Sequence, residues 1–253
     1  MKQPTSKGVS VAAVGDIMLG DHPLRIGNGV GSAIKARDST YLFESVAPFL
    51  REGEIIFGNL EAVLSNAGLD PRSVNSTQIR GAPESIEGLK FAGFNVLSLA
   101  NNHTLDHGRP AFEETVRLLS ENGIESVGVT EGEESFRPTF LNRQGLSIAF
   151  LACCATASPT RLPLPYDWED RLVAAVQDLV DSTDITIVSI HWGDEFTQFP
   201  SPSQIRLARR LVDSGAHLVL GHHPHVLQAV ERHGKGLICY SLVLQPYFTK
   251  RPI

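Results

Sequence analysis

Five short apolar runs, each closing on a polar residue able to bind a cation, set the tightest constraint on how this chain can fold. They are VSVAAVGD (9–16), EIIFGNLE (54–61), NVLSLANNH (95–103), DITIVSIHWG (184–193) and AHLVLGHH (216–223). Runs of this length, rich in β-branched residues, read as strands. The segments YLFESVAPFLRE, PESIEGLKFAGF, RPAFEETVRLLSENG, EDRLVAAVQDLVDS and SPSQIRLARRLVDSG carry apolar residues every three or four positions, the period of an amphipathic helix. Pro110 and Pro202 stand where helices start, and Gly123 and Gly215 where they stop. Strands alternating with helices predict an α/β fold with a largely parallel core sheet. Two later stretches, PTFLNRQGLSIAFLACC and VLQAVERHGKGLICYSLVL, are strand pairs around a glycine-containing turn and predict antiparallel additions. Residues 62–82 are polar and irregular, and read as a long surface loop near the site. No repeat or Pro/Gly/Ser-rich linker divides the chain, so residues 1–253 read as a single domain.

Composition narrows the classes of partner. A net charge of -6 offers no bulk attraction to nucleic acid or to an anionic membrane. The longest apolar runs are too short to span a bilayer, and MKQPTSKGVSVAAVGD holds no apolar stretch of secretory length. As written, the chain reads as cytoplasmic; removal of an N-terminal anchor would make it membrane-anchored or extracellular. Cys153, Cys154 and Cys239 make neither a disulfide framework nor a CxxC metal site, and read as buried, reduced thiols.

The strand ends carry the chemistry. They present Asp16, then Asn59 and Glu61, then Asn102 and His103, then His191, then His223 and His225. In α/β sheets ligands bind beyond the carboxyl ends of the strands, so residues far apart in the chain converge there. Each residue alone also has an ordinary role: Asp16 as a cap, Asn102 in a turn, His191 as a satisfied core histidine. Five strand ends sharing one pattern argue for a common site. Carboxylate, imidazole and amide oxygen together suit Mn, Fe, Zn or Mg, and a shared carboxylate can bridge two ions about 3.5–4 Å apart.

The segments GDIMLG, GNLE, LANNHTLDHG, IHWGDE and GHHPHVLQ occur in this order between about residues 9 and 243. Together they resemble the CapA (poly-γ-glutamate synthesis protein) family of the calcineurin-like metallophosphoesterase superfamily. The resemblance implies a two-sheet sandwich flanked by helices (αββα), with a di-metal cleft at one edge. Carried over residue by residue, it makes Asp16 the aspartate of the first motif and Glu61 the bridging carboxylate. Asn102 becomes the metal-binding asparagine, His191 the lone histidine after a strand, and His223 and His225 the closing pair. His103 becomes the general acid for the leaving group, with Asp106 orienting it. Met18 stands where the superfamily has a histidine. One implied site therefore keeps Glu61, Asn102, His191 and His223, and the other only Asp16, Glu61 and His225 unless Asp21 or His22 completes it. Family members continue SLGNF where this chain reads SLVLQPYFTKRPI, which implies a truncated or altered C-terminal region.

The resulting functional expectation is a hydrolase with one or two divalent ions that cleaves a phosphoester by metal-bound hydroxide, linked to poly-γ-glutamate or capsule biosynthesis. Its partner would be an anionic small molecule or polymer. A non-catalytic metal-containing module that binds anionic polymer or scaffolds a capsule synthase complex remains an alternative, as does a γ-glutamyl amidase. His222 alternates with His223 and should face away from the cleft. His107 lines the cleft or sits on a surface loop, and His217 and His233 read as structural or exposed. Trp192 packs or stacks on substrate; Arg80 meets a phosphate or γ-carboxylate, or is simply solvated.

Overall fold

The computed structural model describes residues 8–22, 24, 26–128, 136–157, 160 and 163–244. In the first half, β1 (Val11–Ile17) leads through α1 (Val30–Ala36), a 3-10 turn at Thr40–Leu42 and α2 (Ala47–Leu50) to β2 (Ile55–Leu60). Then come β3 (Val63–Leu64), α3 (Val74–Thr77), β4 (Arg80–Gly81), α4 (Ile86–Ala92), β5 (Val96–Ser98), α5 (Gly108–Glu121) and β6 (Glu125–Val127). The second half runs β7 (Thr139–Arg143), β8 (Leu146–Cys154), α6 (Trp168–Gln177), β9 (Ile185–His191), α7 (Pro202–Asp213), β10 (Leu218–His222), β11 (Val230–His233) and β12 (Gly236–Cys239).

These strands make the expected two-sheet α/β sandwich. One sheet is parallel, in the order β1-β2-β5-β6; the other has the order β11-β12-β10-β9-β8-β7. In the second sheet β8, β9, β10 and β12 are parallel, while β7 and β11 join antiparallel at the two edges, as the hairpin segments predict. The layer between the sheets is filled by Ile55, Phe57 and Val96 from one and Ile148, Phe150, Ile187 and Leu220 from the other. Phe57 and Phe150 stack across it with ring centroids 5.7 Å apart. Leu89 and Leu119 close the outer face of the parallel sheet, and Leu172, Val176, Leu207 and Leu211 that of the mixed sheet. The helices thus lie outside and the apolar strands are buried on both faces, as near-continuous β-branched runs require. Pro202 does open a helix, with Ser201 and Gln204 closing a capping box.

Several expectations need correction. Residues 62–82 are not simply a surface loop: Ala62, Val63, Leu64, Ile79 and Arg80 are buried, and β3 pairs with β4 in a small parallel ladder. Its polar composition hid two anchors too short to show a period. The helical reading of YLFESVAPFLRE shrinks to the 3-10 turn and the single turn of α2, because Leu42, Phe43, Ala47 and Leu50 are buried by packing against other elements without a continuous helix. The third predicted strand stops at Ser98, and the following turns carry the Asn101–His103 segment.

Backbone proximity ties the two sheets together at the end where the polar residues gather. Val243 bridges Asp16, and the Leu242 N–H donates to the Gly221 carbonyl at 2.9 Å. A Cβ on Gly15 would lie 2.0 Å from the Leu242 oxygen, and one on Gly221 2.0 Å from the Tyr240 oxygen. Only glycine lets β1 and β10 approach that strand this closely.

Candidate metal centre

The carboxyl ends of β1, β2, β5, β9 and β10 converge on one partly buried cleft. Parallel register does the placing: Asp16 lies opposite Asn59 on the β1–β2 ladder, and His191 opposite His222 on the β9–β10 ladder. Glu61 follows β2 directly and is held by its N–H donating to the Ile17 carbonyl at 3.0 Å.

Glu61 is the centre of the arrangement. It is 1 % exposed, and neither carboxylate oxygen has a hydrogen-bond partner among the described residues. Its oxygens stand 3.5 Å from His191 Nε2, 3.9 Å from His103 Nε2 and 4.0 Å from His225 Nδ1. Burial, followed by the negative charge of Asp16, holds its pKa well above the usual 4.5. Two three-residue groups share it: Asp16, Glu61 and His191, and Glu61, His223 and His225, with one donor atom per residue and all donors within 4.8 Å. This division differs from the one implied by resemblance, since His191 groups with Asp16 and His223 with His225.

Asp16 is braced on both oxygens. Oδ1 accepts from Asn59 Nδ2 at 2.7 Å, and Oδ2 accepts from the His223 N–H at 3.1 Å and lies 3.2 Å from His225 Nδ1. Burial alone would raise its pKa, but the His225 hydrogen bond, the neighbouring imidazoles of His191 and His222 and the Asn59 hydrogen bond outweigh that and lower it. For His225 the same contact outweighs burial and raises the imidazole. Burial lowers His191 and His223, so both are held neutral, the form that binds metal. His223 Nδ1 also has no hydrogen-bond partner among the described residues. His223 and His225 take positive φ values of +96° and +55°, a strained conformation for non-glycine residues that aims both rings into the cleft.

Asn102 joins the two halves of the site. Its Oδ1 accepts from His191 Nε2 at 2.6 Å, and its Nδ2 donates to His103 Nε2 at 3.0 Å. The other nitrogen of His103 donates to Asp106 Oδ2 at 2.7 Å, while Asp106 Oδ1 accepts from the Thr160 hydroxyl at 3.2 Å. All eight predicted site residues therefore gather in one cleft. Behind them is a scaffold that sequence reasoning missed. The buried Asn101 donates to Asn59 Oδ1 at 3.2 Å and to the Leu60 carbonyl at 2.9 Å, and accepts from the His103 N–H at 3.1 Å. The doubled asparagine is the one signal that pointed to it. Glu195, exposed in the segment after β9, also acts electrostatically on Glu61, His223 and His225.

The profile of the family described as "Bacterial capsule synthesis protein PGA_cap" matches residues 10–242. This chain belongs to that family. It is 30 % identical to "Capsule biosynthesis protein CapA" of Bacillus anthracis, over 96 % of this chain and 60 % of the relative. It is 29 % identical to "PGA biosynthesis protein CapA" of Bacillus subtilis (strain 168), over 92 % of this chain and 62 % of the relative. This PGA_cap chain thus spans about three fifths of the length of those relatives. Its fold is also similar to that of a Staphylococcus aureus structure described as a candidate 5'-nucleotidase in complex with alpha-ketoglutarate. There the TM-score is 0.55 at 11 % identity, covering 91 % of this chain and 48 % of the other. That likeness concerns the fold alone.

The remaining polar residues of this PGA_cap chain resolve individually. Neither Asp21 nor His22 joins a ligand group: Asp21 accepts from the Gly27 and Ser32 N–H groups, each at 2.9 Å, and His22 Nδ1 from the Leu24 N–H at 3.2 Å. Asp21 thereby satisfies the first turn of α1. Arg80 is buried, neither solvated nor aimed at a ligand, with its guanidinium donating to the Ser65 and Ala67 carbonyls at 3.0 and 2.9 Å. His222 lies outside both groups and packs on Phe57. Half-buried His107 donates to the Gln78 carbonyl at 2.9 Å. Trp192 is buried packing, its indole N–H donating to the Tyr240 carbonyl at 3.0 Å. His217 accepts from the Thr186 N–H, and His233 pairs with Asp213. No helix among the described residues is long and apolar enough to cross a membrane.

Proposed function

We propose that this chain is a divalent-metal-dependent hydrolase domain that cleaves a phosphoester during synthesis of a poly-γ-glutamate capsule. The observation that carries this is Glu61, buried with both oxygens unpartnered and shared by two ligand groups. An uncompensated buried carboxylate costs several kcal/mol, and a bound divalent cation would offset that cost. Asp16 and His191 would hold one ion with Glu61, and His223 and His225 the other; oxygen and imidazole donors suit Mn, Fe, Zn or Mg. A divalent ion supplies polarisation of a phosphoryl oxygen and a lowered pKa for attacking water. The chain itself supplies orientation and proton transfer. Asp106 fixes the ring of His103 by accepting from Nδ1–H, and Nε2, which accepts from Asn102 in the neutral ring, would take up a proton to give the imidazolium and pass that proton to the leaving oxygen. The names of the Bacillus relatives supply the process, capsule and PGA biosynthesis.

The test joins metal content to turnover. Elemental analysis after reconstitution with Mn, Zn, Fe or Mg should find divalent metal, and His223→Ala/His225→Ala should lose the share held by the Glu61–His223–His225 group. Phosphomonoester and phosphodiester hydrolysis should require that metal and fall in His103→Ala. A folded protein that binds no divalent metal at micromolar concentration rejects the reading.

One observation favours a second reading, a non-catalytic module that anchors an anionic polymer or scaffolds a synthase complex. Asp21 and His22 are engaged elsewhere, so each group has only three carboxylate or imidazole donors. This reading expects bound metal with no hydrolysis of phosphoesters. Product analysis with a γ-linked glutamate oligomer separates a γ-glutamyl amidase from both.

A further inference from the structure

The wall of the cleft beside His225 carries apolar side chains that nothing in the core explains. Phe196, in the segment that follows β9, is 64 % exposed. Its φ is +60°, the left-handed region that L side chains rarely adopt. The fold therefore accepts an unfavourable backbone and an exposed aromatic ring at one position. Two hydrogen bonds hold it there: the Phe196 N–H donates to the Pro224 carbonyl at 2.8 Å, and Gln228 Nε2 donates to the Thr197 carbonyl at 2.7 Å. They pin the segment to the loop that carries His223 and His225. The Phe196 ring centroid lies 6.2 Å from that of His225, at an interplanar angle of 45°. Phe199 and Leu227, on the same two pinned segments, are 77 % and 71 % exposed. Beside Phe196 stands Glu195, whose negative charge reaches His223, His225 and Glu61.

We propose that Phe196 is a specificity-determining residue, an apolar lip that receives the aromatic or other apolar part of a substrate whose phosphoryl group would be held through the ion that Glu61, His223 and His225 would bind. The phosphoryl assignment rests on the hydrolase reading above; the lip rests on the placement of Phe196. Glu195 sharpens the choice, because a second anionic group on the substrate meets its charge at the mouth of the cleft. The substrate class is then an amphiphilic phosphoester with one anionic centre and an apolar neighbour, and the polyanionic chain itself is disfavoured.

Calorimetric binding of phosphonates to the Mn-loaded chain tests this without requiring turnover. Phenylphosphonate should bind roughly two- to tenfold more tightly than methylphosphonate, the range of one aromatic contact. Phosphonoacetate, with its added carboxylate, should bind more weakly than methylphosphonate. Phe196→Ala should bring the phenyl-to-methyl ratio close to one at unchanged metal content, Phe196→Tyr should keep it, and Glu195→Gln should relieve the penalty on phosphonoacetate. Equal wild-type affinities for the phenyl and methyl ligands, a ratio that survives Phe196→Ala, or no binding of any probe overturns the proposal. Hydrolysis measured on the same preparations keeps the two ideas apart. Turnover without phenyl preference discards the lip and retains the hydrolase; phenyl preference without turnover does the reverse.

Discussion

The Asp106 carboxylate lies 2.7 Å from Nδ1 of His103, and it fixes which nitrogen of that imidazole faces the cleft. Nε2 is thereby turned toward Asn102 at 3.0 Å and Glu61 at 3.9 Å. The contact is local, three residues apart in a turn, yet it orients the group proposed to protonate the leaving oxygen.

Asp106→Asn should therefore lower kcat for phosphoester hydrolysis by roughly 10- to 100-fold, the usual effect of removing a carboxylate that orients a functional histidine. Metal content should stay unchanged, and the alkaline limb of the pH–rate profile, where a general acid gives up its proton, should move. Unchanged kcat and pH profile would detach His103 from the chemistry.

Glu61→Gln should separate the metal-free and metal-loaded states. With its folded pKa raised above 4.5, Glu61 contributes stability that is present below that value and lost as pH rises toward the raised one. At pH 7 the metal-free Gln variant should melt higher than metal-free wild type. Once metal is added the order should reverse, because the variant has lost the shared ligand. Melting curves with and without a chelator give both comparisons.

His222 should mark the acid sensitivity of the fold. Burial, opposed only by the charge of Asp16, lowers its pKa from 6.5 to about 4, and neither ring nitrogen has a hydrogen-bond partner among the described residues. The neutral ring is favoured in the fold, so its contribution is present above pH 6.5 and lost as pH falls through about 4. The full loss amounts to about 3 kcal/mol. In metal-free protein, His222→Leu should flatten this part of a urea-unfolding pH series without abolishing it, since His191 and His223 are also lowered. An unchanged slope would refute the assignment.

Arg80→Met should act on stability alone. It removes the donor of two hydrogen bonds to the Ser65 and Ala67 carbonyls and should destabilise the chain by about 2–3 kcal/mol. Metal content and KM should not move. A raised KM at unchanged stability would instead return Arg80 to the list of substrate contacts.

Much of this protein was legible from local pattern. The apolar runs ending at Asp16, Glu61, His191 and His223 announce parallel strands with polar carboxyl ends, and the glycine turns of the β7–β8 and β11–β12 pairs announce antiparallel edges. Such patterns are local because a strand or helix records which of its faces is buried in its own side-chain period. Residues 62–82 escaped because two-residue strands are too short to carry a period.

Sequence alone determined that this chain forms an α/β fold with a largely parallel core and that carboxylates, asparagines and histidines stand at the ends of its strands; the second sheet was implied only by family resemblance. Only the tertiary structure decided which of them meet. Asp16 accepts a hydrogen bond from His223, 207 residues away. The pairing of His191 with Asp16, the Asn59–Asn101 brace, the inward burial of Arg80 and the seat of Phe196 beside His225 likewise depend on how the two sheets and their loops pack. The physical reason is that a residue's own neighbours set its periodicity and propensity. Hydrogen-bond partners and shared burial are set by chain segments brought close by the core, and no local pattern records them.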